Sequence, residues 1–129
     1  MTPQPRLVSD AELEILKVLW DRGPGTVRDV LRNLRRAGRE WAYTTAQTLL
    51  LRLREKGFVA STKEGRAFVF RPTVSRDDLL GQSLEALADR VCDGAALPLL
   101  LRLVQSARFT PADIRRFRGL LDELEEGGA

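Results

Sequence analysis

The chain lacks the side chains that most enzymes use near neutral pH. It contains no histidine and a single cysteine, Cys92, among its 129 residues. Ser-His-Asp and Cys-His catalysis are therefore excluded, and so are the usual thiolate and imidazole sites for zinc and copper. We interpret Cys92 as a small core residue, and we expect no catalytic site, no metal and no cofactor. An enzyme that works with carboxylates or lysine is an alternative, but no grouping of residues favours it.

The side chains best suited to chemistry could recognise a nucleic acid, and they lie between residues 43 and 66. Threonine and glutamine can hydrogen-bond to base edges, glutamine preferring adenine, whereas arginine and lysine pair with phosphates. We expect Arg52, Lys63 and Arg66 to meet phosphates. The candidates for nucleic-acid binding are Tyr43, Thr44, Thr45, Gln47, Thr48, Arg52, Lys63 and Arg66.

The charge of the chain supports this interpretation because it is divided unevenly. Residues 1–74 contain 14 Lys and Arg against 8 Asp and Glu, whereas residues 75–129 contain 7 against 10. A basic segment favours binding to a polyanion, since neutralisation of phosphates dominates nucleic-acid affinity. Ordinary solvated arginines are the alternative explanation of the same excess.

The composition predicts a folded, non-membrane protein. Hydrophobic residues make up 43% of the chain and charged residues 30%, which is typical of a globular domain. No apolar run reaches the roughly 18 residues that cross a bilayer, and the N-terminal residues MTPQPRLVSD lack the basic and apolar regions of a signal peptide. We expect a cytoplasmic protein with no membrane insertion.

Capping signals predict the helices that precede these candidates. Ser9 and Glu12 match a capping box for a helix over about residues 10–21, and Thr26 opens a second helix with Asp29 in its first turn. Five arginines lie on the outward face of the second helix, where they could meet phosphates: Arg28, Arg32, Arg35, Arg36 and Arg39.

A third helix covers about residues 43–56 and carries most of the candidates. Gly57 is a suitable left-handed terminator, and Thr44 with Gln47 matches a capping box near its start. Helical projection gives a buried side of Ala46, Leu49, Leu50 and Leu53. Leu51 falls among the polar residues instead, where it could contact a thymine methyl or pack under the hairpin that follows.

A hairpin over residues 58–71 completes the N-terminal half. FVAST and AFVF are short strand-like segments, and the KEGR turn between them places Lys63 and Arg66 at the tip. Three helices followed by a hairpin describe the winged helix-turn-helix, whose third helix enters the DNA major groove while the hairpin, or wing, reaches the neighbouring backbone. We expect residues 1–74 to be this DNA-binding domain.

Residues 75–129 predict three more helices. Ser75 with Asp78 caps the first, which ends near Gly94, and Thr110 with Pro111 starts the last. Between them, AALPLLLRLV is apolar nearly all round, so burial against a partner subunit would explain it. We expect a helical dimerisation domain, with these candidate contacts: Leu84, Leu87, Leu100, Leu103, Val104, Phe117 and Leu121.

Three segments resemble the penicillinase and methicillin-resistance repressors, the BlaI/MecI/CopY type of winged-helix regulators: VSDAELEILKVLW, WAYTTAQTLLLRLREKGFV and KEGRAFVF. The resemblance covers nearly the whole chain. It implies a homodimer with interlocked C-terminal helices, bound to a palindromic operator of double-stranded DNA. The repressed genes often include antibiotic-resistance determinants, and stress genes are a further expectation.

The resemblance also places the recognition helix at residues 43–54, and it brings departures. Family members often have proline at Tyr43 and basic residues at Thr44 and Gln47, so this recognition face is less charged. A sensor-activated protease cuts an Asn-Phe bond in penicillinase-type members, but the matching place reads Arg102-Leu103. The protease is therefore only a candidate inducer. The terminal cysteines of the copper-responsive branch are missing.

The reduced charge of the recognition face leaves a second function open, a protein-interaction module that does not touch DNA.

Overall fold

Six helices and one hairpin follow one another along the chain. The computed structural model describes residues 8–127. The elements are α1 (Asp10–Arg22), α2 (Val27–Arg36), α3 (Tyr43–Lys56), β1 (Val59–Glu64), β2 (Ala67–Pro72), α4 (Arg76–Val91), α5 (Leu97–Ser106) and α6 (Pro111–Gly127). They form two compact units that divide between Ala86 and Leu87, inside α4 and later than the predicted boundary after residue 74. The mainly α architecture with a small β wing is confirmed.

The capping residues of α1, α2 and α4 are as predicted. Ser9 Oγ accepts the Glu12 N–H at 3.1 Å while Glu12 Oε1 accepts the Ser9 N–H at 2.8 Å. Thr26 and Asp29 exchange the same two bonds at the start of α2, and Ser75 Oγ accepts the Asp78 N–H at 2.9 Å. These side chains satisfy amides that the first turn of a helix leaves without partners.

The third helix has the predicted range but not the predicted cap. Its N-cap is Ala42, in extended conformation and without a side-chain hydrogen bond, so the expected capping box of Thr44 and Gln47 is wrong. The reason is positional: the helix begins at Tyr43, so Thr44 already lies in the first turn, whereas a capping side chain must precede it. Gly57 ends the helix with φ +89°, as predicted.

The core of the first unit fixes the orientation of α3. Its interior is formed by one apolar side of each of the first three helices, together with the base of the hairpin. Leu50 and Leu53 of α3 are completely buried, and so is Ala46. The opposite side of α3 therefore faces solvent. The largest fully buried side chains are Ile15, Leu16, Leu19, Val30, Leu34, Leu50 and Leu53.

The hairpin is anchored to the start of α2. The two strands are antiparallel with Val59 opposite Pro72, and Gly65 with φ +65° opens the turn at the tip. Phe70 of β2 exchanges two backbone hydrogen bonds with Gly25, at 2.8 and 3.0 Å. These bonds hold β2 beside the first turn of α2, which brings the hairpin next to α3.

The second unit consists of the end of α4 with α5 and α6. The last helix, α6, starts at Pro111 as predicted, and Thr110 and Asp113 form its capping box, while Pro98 lies in the first turn of α5. The fourth helix ends at Val91, before the predicted Gly94. Cys92 is partly exposed, so its assignment to the core is wrong. Neither α5 nor α6 has a buried residue in the part of the chain that the structure describes.

Candidate nucleic-acid interface

The solvent side of α3 carries the side chains that the sequence singled out. The buried leucines of this helix point into the core, so the polar positions between them face outward. The following residues of α3 are exposed: Tyr43, Thr44, Thr45, Gln47, Thr48 and Arg52. Lys63 and Arg66 of the hairpin are exposed as well. All eight candidates are therefore accessible to a ligand.

A groove of about 810 Å³ runs between α3, the start of α2 and the hairpin. We call it the α3–wing groove. Its lining includes three arginines and no carboxylate, so its fixed charges are all positive. Such a surface suits a polyanion, because no acidic side chain opposes a phosphate there. The lining of the groove includes Arg28, Tyr43, Gln47, Leu51, Arg54, Arg66 and Phe68.

The groove brings together only some of the predicted residues. Tyr43, Gln47 and Arg66 line it. Lys63 pairs with Phe68 across the hairpin, so it shares a face of the sheet with that residue but does not line the groove. The remaining candidates lie elsewhere on the exposed surface of α3: Thr44, Thr45, Thr48 and Arg52.

The groove also contains side chains that are not among the sequence-based candidates, notably Arg54 and Phe68. Arg54 donates from Nη1 to Ser61 Oγ at 2.9 Å, so strand β1 holds its guanidinium beside the groove. Arg54 follows Gln47 by seven positions, a spacing that returns to the same side of a helix and could have revealed it. Phe68 is 49% exposed although it shares a sheet face with the buried Phe70. Side chains alternate between the two faces of a strand, so the sequence places Phe68 on the same face as Phe70, and this alternation could have revealed Phe68.

The arginines predicted on the second helix differ in how far they are already paired, and Arg39 lies outside that helix, because α2 ends at Arg36. Arg39 contacts Glu14 at 3.5 Å, and Arg32 contacts Asp29 at 3.5 Å. The backbone N–H of Thr26 donates a hydrogen bond to the Asp29 carboxylate. This bond lowers the pKa of Asp29 below its usual range, so Asp29 is charged at neutral pH. No ion pair of Arg28 occurs among residues 8–127, and Arg28 lines the groove. Arg28 is therefore the α2 residue best placed for a phosphate.

Comparison with known proteins assigns the chain to a family. The sequence model of the penicillinase repressor family matches residues 8–123. The chain belongs to the penicillinase repressor family. It is 30% identical over 116 residues to the penicillinase repressor of Bacillus licheniformis, with 90% of both chains covered. It is 36% identical over 122 residues to the transcriptional regulator BlaI of Mycobacterium tuberculosis, covering 93% of this chain and 86% of that one.

Solved structures confirm the winged-helix fold of this family member. The DNA-binding domain of the repressor BlaI is 40% identical, with a TM-score of 0.51, and the match covers 60% of this chain and 93% of that one. The transcriptional regulator Tm0710 from Thermotoga maritima shares the fold at 16% identity and a TM-score of 0.51, covering 94% and 78%. Because the family consists of transcriptional repressors, the enzyme alternative is excluded.

Two further features of this family member concern metals and membranes. Within residues 8–127, no three His, Cys, Asp or Glu side chains are grouped as ligands of a metal ion would be. In the same part of the chain, every helix is too short or too polar to span a bilayer.

Proposed function

We propose that this chain is a cytoplasmic transcriptional repressor that binds a palindromic DNA operator as a homodimer. The observation that carries the proposal is the α3–wing groove, where Arg28, Arg54 and Arg66 surround the exposed side of α3 without an opposing carboxylate. Membership of a repressor family supports the same conclusion. The DNA-binding domain in this proposal is residues 1–74, the part of the first unit that precedes α4, and the dimerisation domain is residues 75–129.

In the DNA complex that we propose, α3 enters the major groove and the wing lies on the neighbouring backbone. Gln47 is exposed on the second turn of α3, where its amide can reach the N6 and N7 atoms of an adenine. Arg52, Lys63 and Arg66 pair with phosphates. The other base and backbone candidates on α3 are Tyr43, Thr44, Thr45 and Thr48.

The homodimer part of the proposal rests on the apolar side chains of the second unit. Leu87, Leu103 and Val104 are each more than 40% exposed in the single chain, and α5 and α6 contain no buried residue of their own in the described part. Covering such a surface with a second copy removes apolar area from water. A two-fold dimer in turn explains a palindromic operator. The proposed contacts are Leu84, near the end of the first unit, and these residues of the second unit: Leu87, Leu100, Leu103, Val104, Phe117 and Leu121.

The finer parts of the proposal concern regulated genes and induction. We propose antibiotic-resistance or stress genes as targets, and a sensor-activated protease as the candidate inducing partner. The bond between Arg102 and Leu103 lies inside α5. A protease that needs an extended substrate can cut there only after this helix has unwound. Incubating the full chain with the activated protease tests this directly, because a fragment ending at Arg102 is the expected product.

A DNA titration tests the central proposal. The full-length protein is titrated against the DNA upstream of its own gene and against a scrambled duplex, at two salt concentrations, with the stoichiometry determined. We expect two subunits per site, preference for the natural sequence, and steep weakening at higher salt. Absence of binding at both salt concentrations would overturn the proposal in favour of a protein-interaction module.

A further inference from the structure

Leu51 is an apolar side chain on the otherwise polar surface of α3. It is 39% exposed, whereas Leu49, Leu50 and Leu53 of the same helix are at most 8% exposed. The sequence left two roles open for it, contact with a thymine methyl or packing under the wing. The wing does not bury it, because its side chain lines the open α3–wing groove. An isolated exposed leucine is ordinary on a protein surface. The exposure of Leu51 alone therefore indicates no function, whereas its position on α3 does.

Leu51 belongs to a stripe of groove-lining side chains along α3. Tyr43, Gln47 and Leu51 follow one another at intervals of four residues, which places them on the same side of three successive turns. Arg54 lines the groove on the next turn. The apolar Leu51 therefore lies between an amide that can hydrogen-bond and a guanidinium that can pair with phosphate.

The chemistry of leucine narrows what Leu51 can recognise. Its side chain has no hydrogen-bonding group and no charge, so it can stabilise a complex only by contact with an apolar surface. On base edges in the major groove, the apolar group is the 5-methyl of thymine. Gln47, one turn earlier, has the amide that pairs with adenine. Side by side, these two residues match the two partners of A·T base pairs.

We propose that Leu51 contacts the 5-methyl group of a thymine in each operator half-site, next to the base bound by Gln47. The inference rests on the proposed binding of DNA through α3, and it names a base that this surface selects. Thymine is recognised here by its methyl group alone. Loss of that methyl should therefore weaken DNA binding by every protein that retains Leu51.

Replacement of thymine by deoxyuridine tests the contact, because the two nucleotides differ only in this methyl group. The probe is a duplex that the full-length protein selects from a randomised library. Its thymines are replaced one at a time, and the dissociation constant is measured for each duplex. At one thymine per half-site we expect about fourfold weaker binding, which corresponds to the burial of about one methylene group.

Two variants identify the side chain responsible. Leu51→Ala should bind the thymine and deoxyuridine duplexes equally, and because Leu51 is exposed its unfolding temperature should stay close to that of the wild type. Arg54→Ala is the matched control, since loss of a phosphate contact weakens binding to both duplexes and keeps their ratio. The inference would be overturned if the wild-type protein bound every deoxyuridine duplex as tightly as the thymine duplex. It would also be overturned if Leu51→Ala still bound the thymine duplex more tightly. If the wild type selects no duplex at all, DNA binding itself fails.

Discussion

Lys56 Nζ lies 2.7 Å from Glu12 Oε1, so the last turn of α3 is joined to the first turn of α1. The same oxygen accepts the N–H of Ser9 at 2.8 Å. Glu12 is only 2% exposed, and burial alone raises its pKa. The hydrogen bonds from Lys56 and Ser9 outweigh that effect and leave the pKa of Glu12 below its usual 4.5. A buried carboxylate, charged at neutral pH, thus holds α3 to α1.

The substitution Glu12→Gln should lower the free energy of unfolding by about 1.5–3 kcal/mol at neutral pH, the range for a hydrogen bond to a charged group. The neutral amide keeps the shape of the side chain but replaces the charged carboxylate that Lys56 contacts. Urea denaturation measures the change. Glu14→Gln is the matched control on the same helix, because its contact with Arg39 is longer and more exposed and should contribute at most about 1 kcal/mol. Equal losses in the two variants would contradict this prediction.

The contribution of Glu12 should also depend on pH in a defined direction. Its pKa is lower in the folded protein than in the unfolded chain, so its stabilising effect is complete above the usual 4.5 and is lost as the pH falls through the folded value. The difference in unfolding free energy between wild type and Glu12→Gln should therefore shrink as the pH is lowered below 4.5. Asp29 and Asp113 also have lowered pKa values, but both proteins contain them, so they cancel. A difference that persists in acid would argue against the ion pair.

Local signals predicted most helix starts, and α3 shows where such signals fail. Ser9 and Glu12 are three residues apart, so their capping box is visible in the sequence and forms as expected. Thr44 and Gln47 have the same spacing, yet α3 begins at Tyr43 without a side-chain cap. Burial of the leucines on its inner side defines this helix instead. Packing against distant residues thus outweighed a local motif.

The groove was only partly predictable for the same reason. Helical projection correctly left Leu51 outside the core. The place of Arg54, in contrast, depends on Ser61 of another element, and that of Phe68 depends on how the hairpin docks beside α2. The Lys56 contact with Glu12 joins residues 44 positions apart. Spacing along the chain indicates on which side of a helix or strand a residue lies, but contacts of this kind depend on the tertiary arrangement.

The substitution Arg66→Ala at the wing tip should weaken DNA binding without changing its sequence preference. If Arg66 neutralises one phosphate, the slope of log K against log salt should decrease by about 0.9, and affinity should fall similarly for operator and scrambled duplexes. Fluorescence anisotropy at several salt concentrations measures both quantities. Lys17→Ala serves as the control, since Lys17 is exposed on α1 and does not line the groove. An unchanged slope for Arg66→Ala would remove it from the phosphate contacts.

The substitution Gln47→Ala should affect specific binding selectively. A bidentate contact with adenine discriminates by about 1–3 kcal/mol, so we expect operator affinity to fall about tenfold, while affinity for scrambled DNA stays nearly the same. Replacement of the operator adenines by 7-deazaadenine provides the control, because it removes the N7 acceptor. Wild-type protein should lose affinity at one such position and Gln47→Ala should not. A similar loss for operator and scrambled duplexes would instead indicate a backbone contact.

The substitution Leu103→Glu should convert the proposed dimer into monomers. Leu103 is 46% exposed in the single chain, and Leu100, three positions earlier on α5, is 36% exposed. A carboxylate placed in an apolar contact between subunits would be buried without a partner, at a cost of several kcal/mol. Sedimentation equilibrium measures the effect, with Gln105→Glu as a control that adds the same charge at an exposed polar position of α5. Monomeric Leu103→Glu should also bind the palindrome more weakly, since its two half-sites are then occupied independently. A variant that remains dimeric would exclude Leu103 from the contact between subunits.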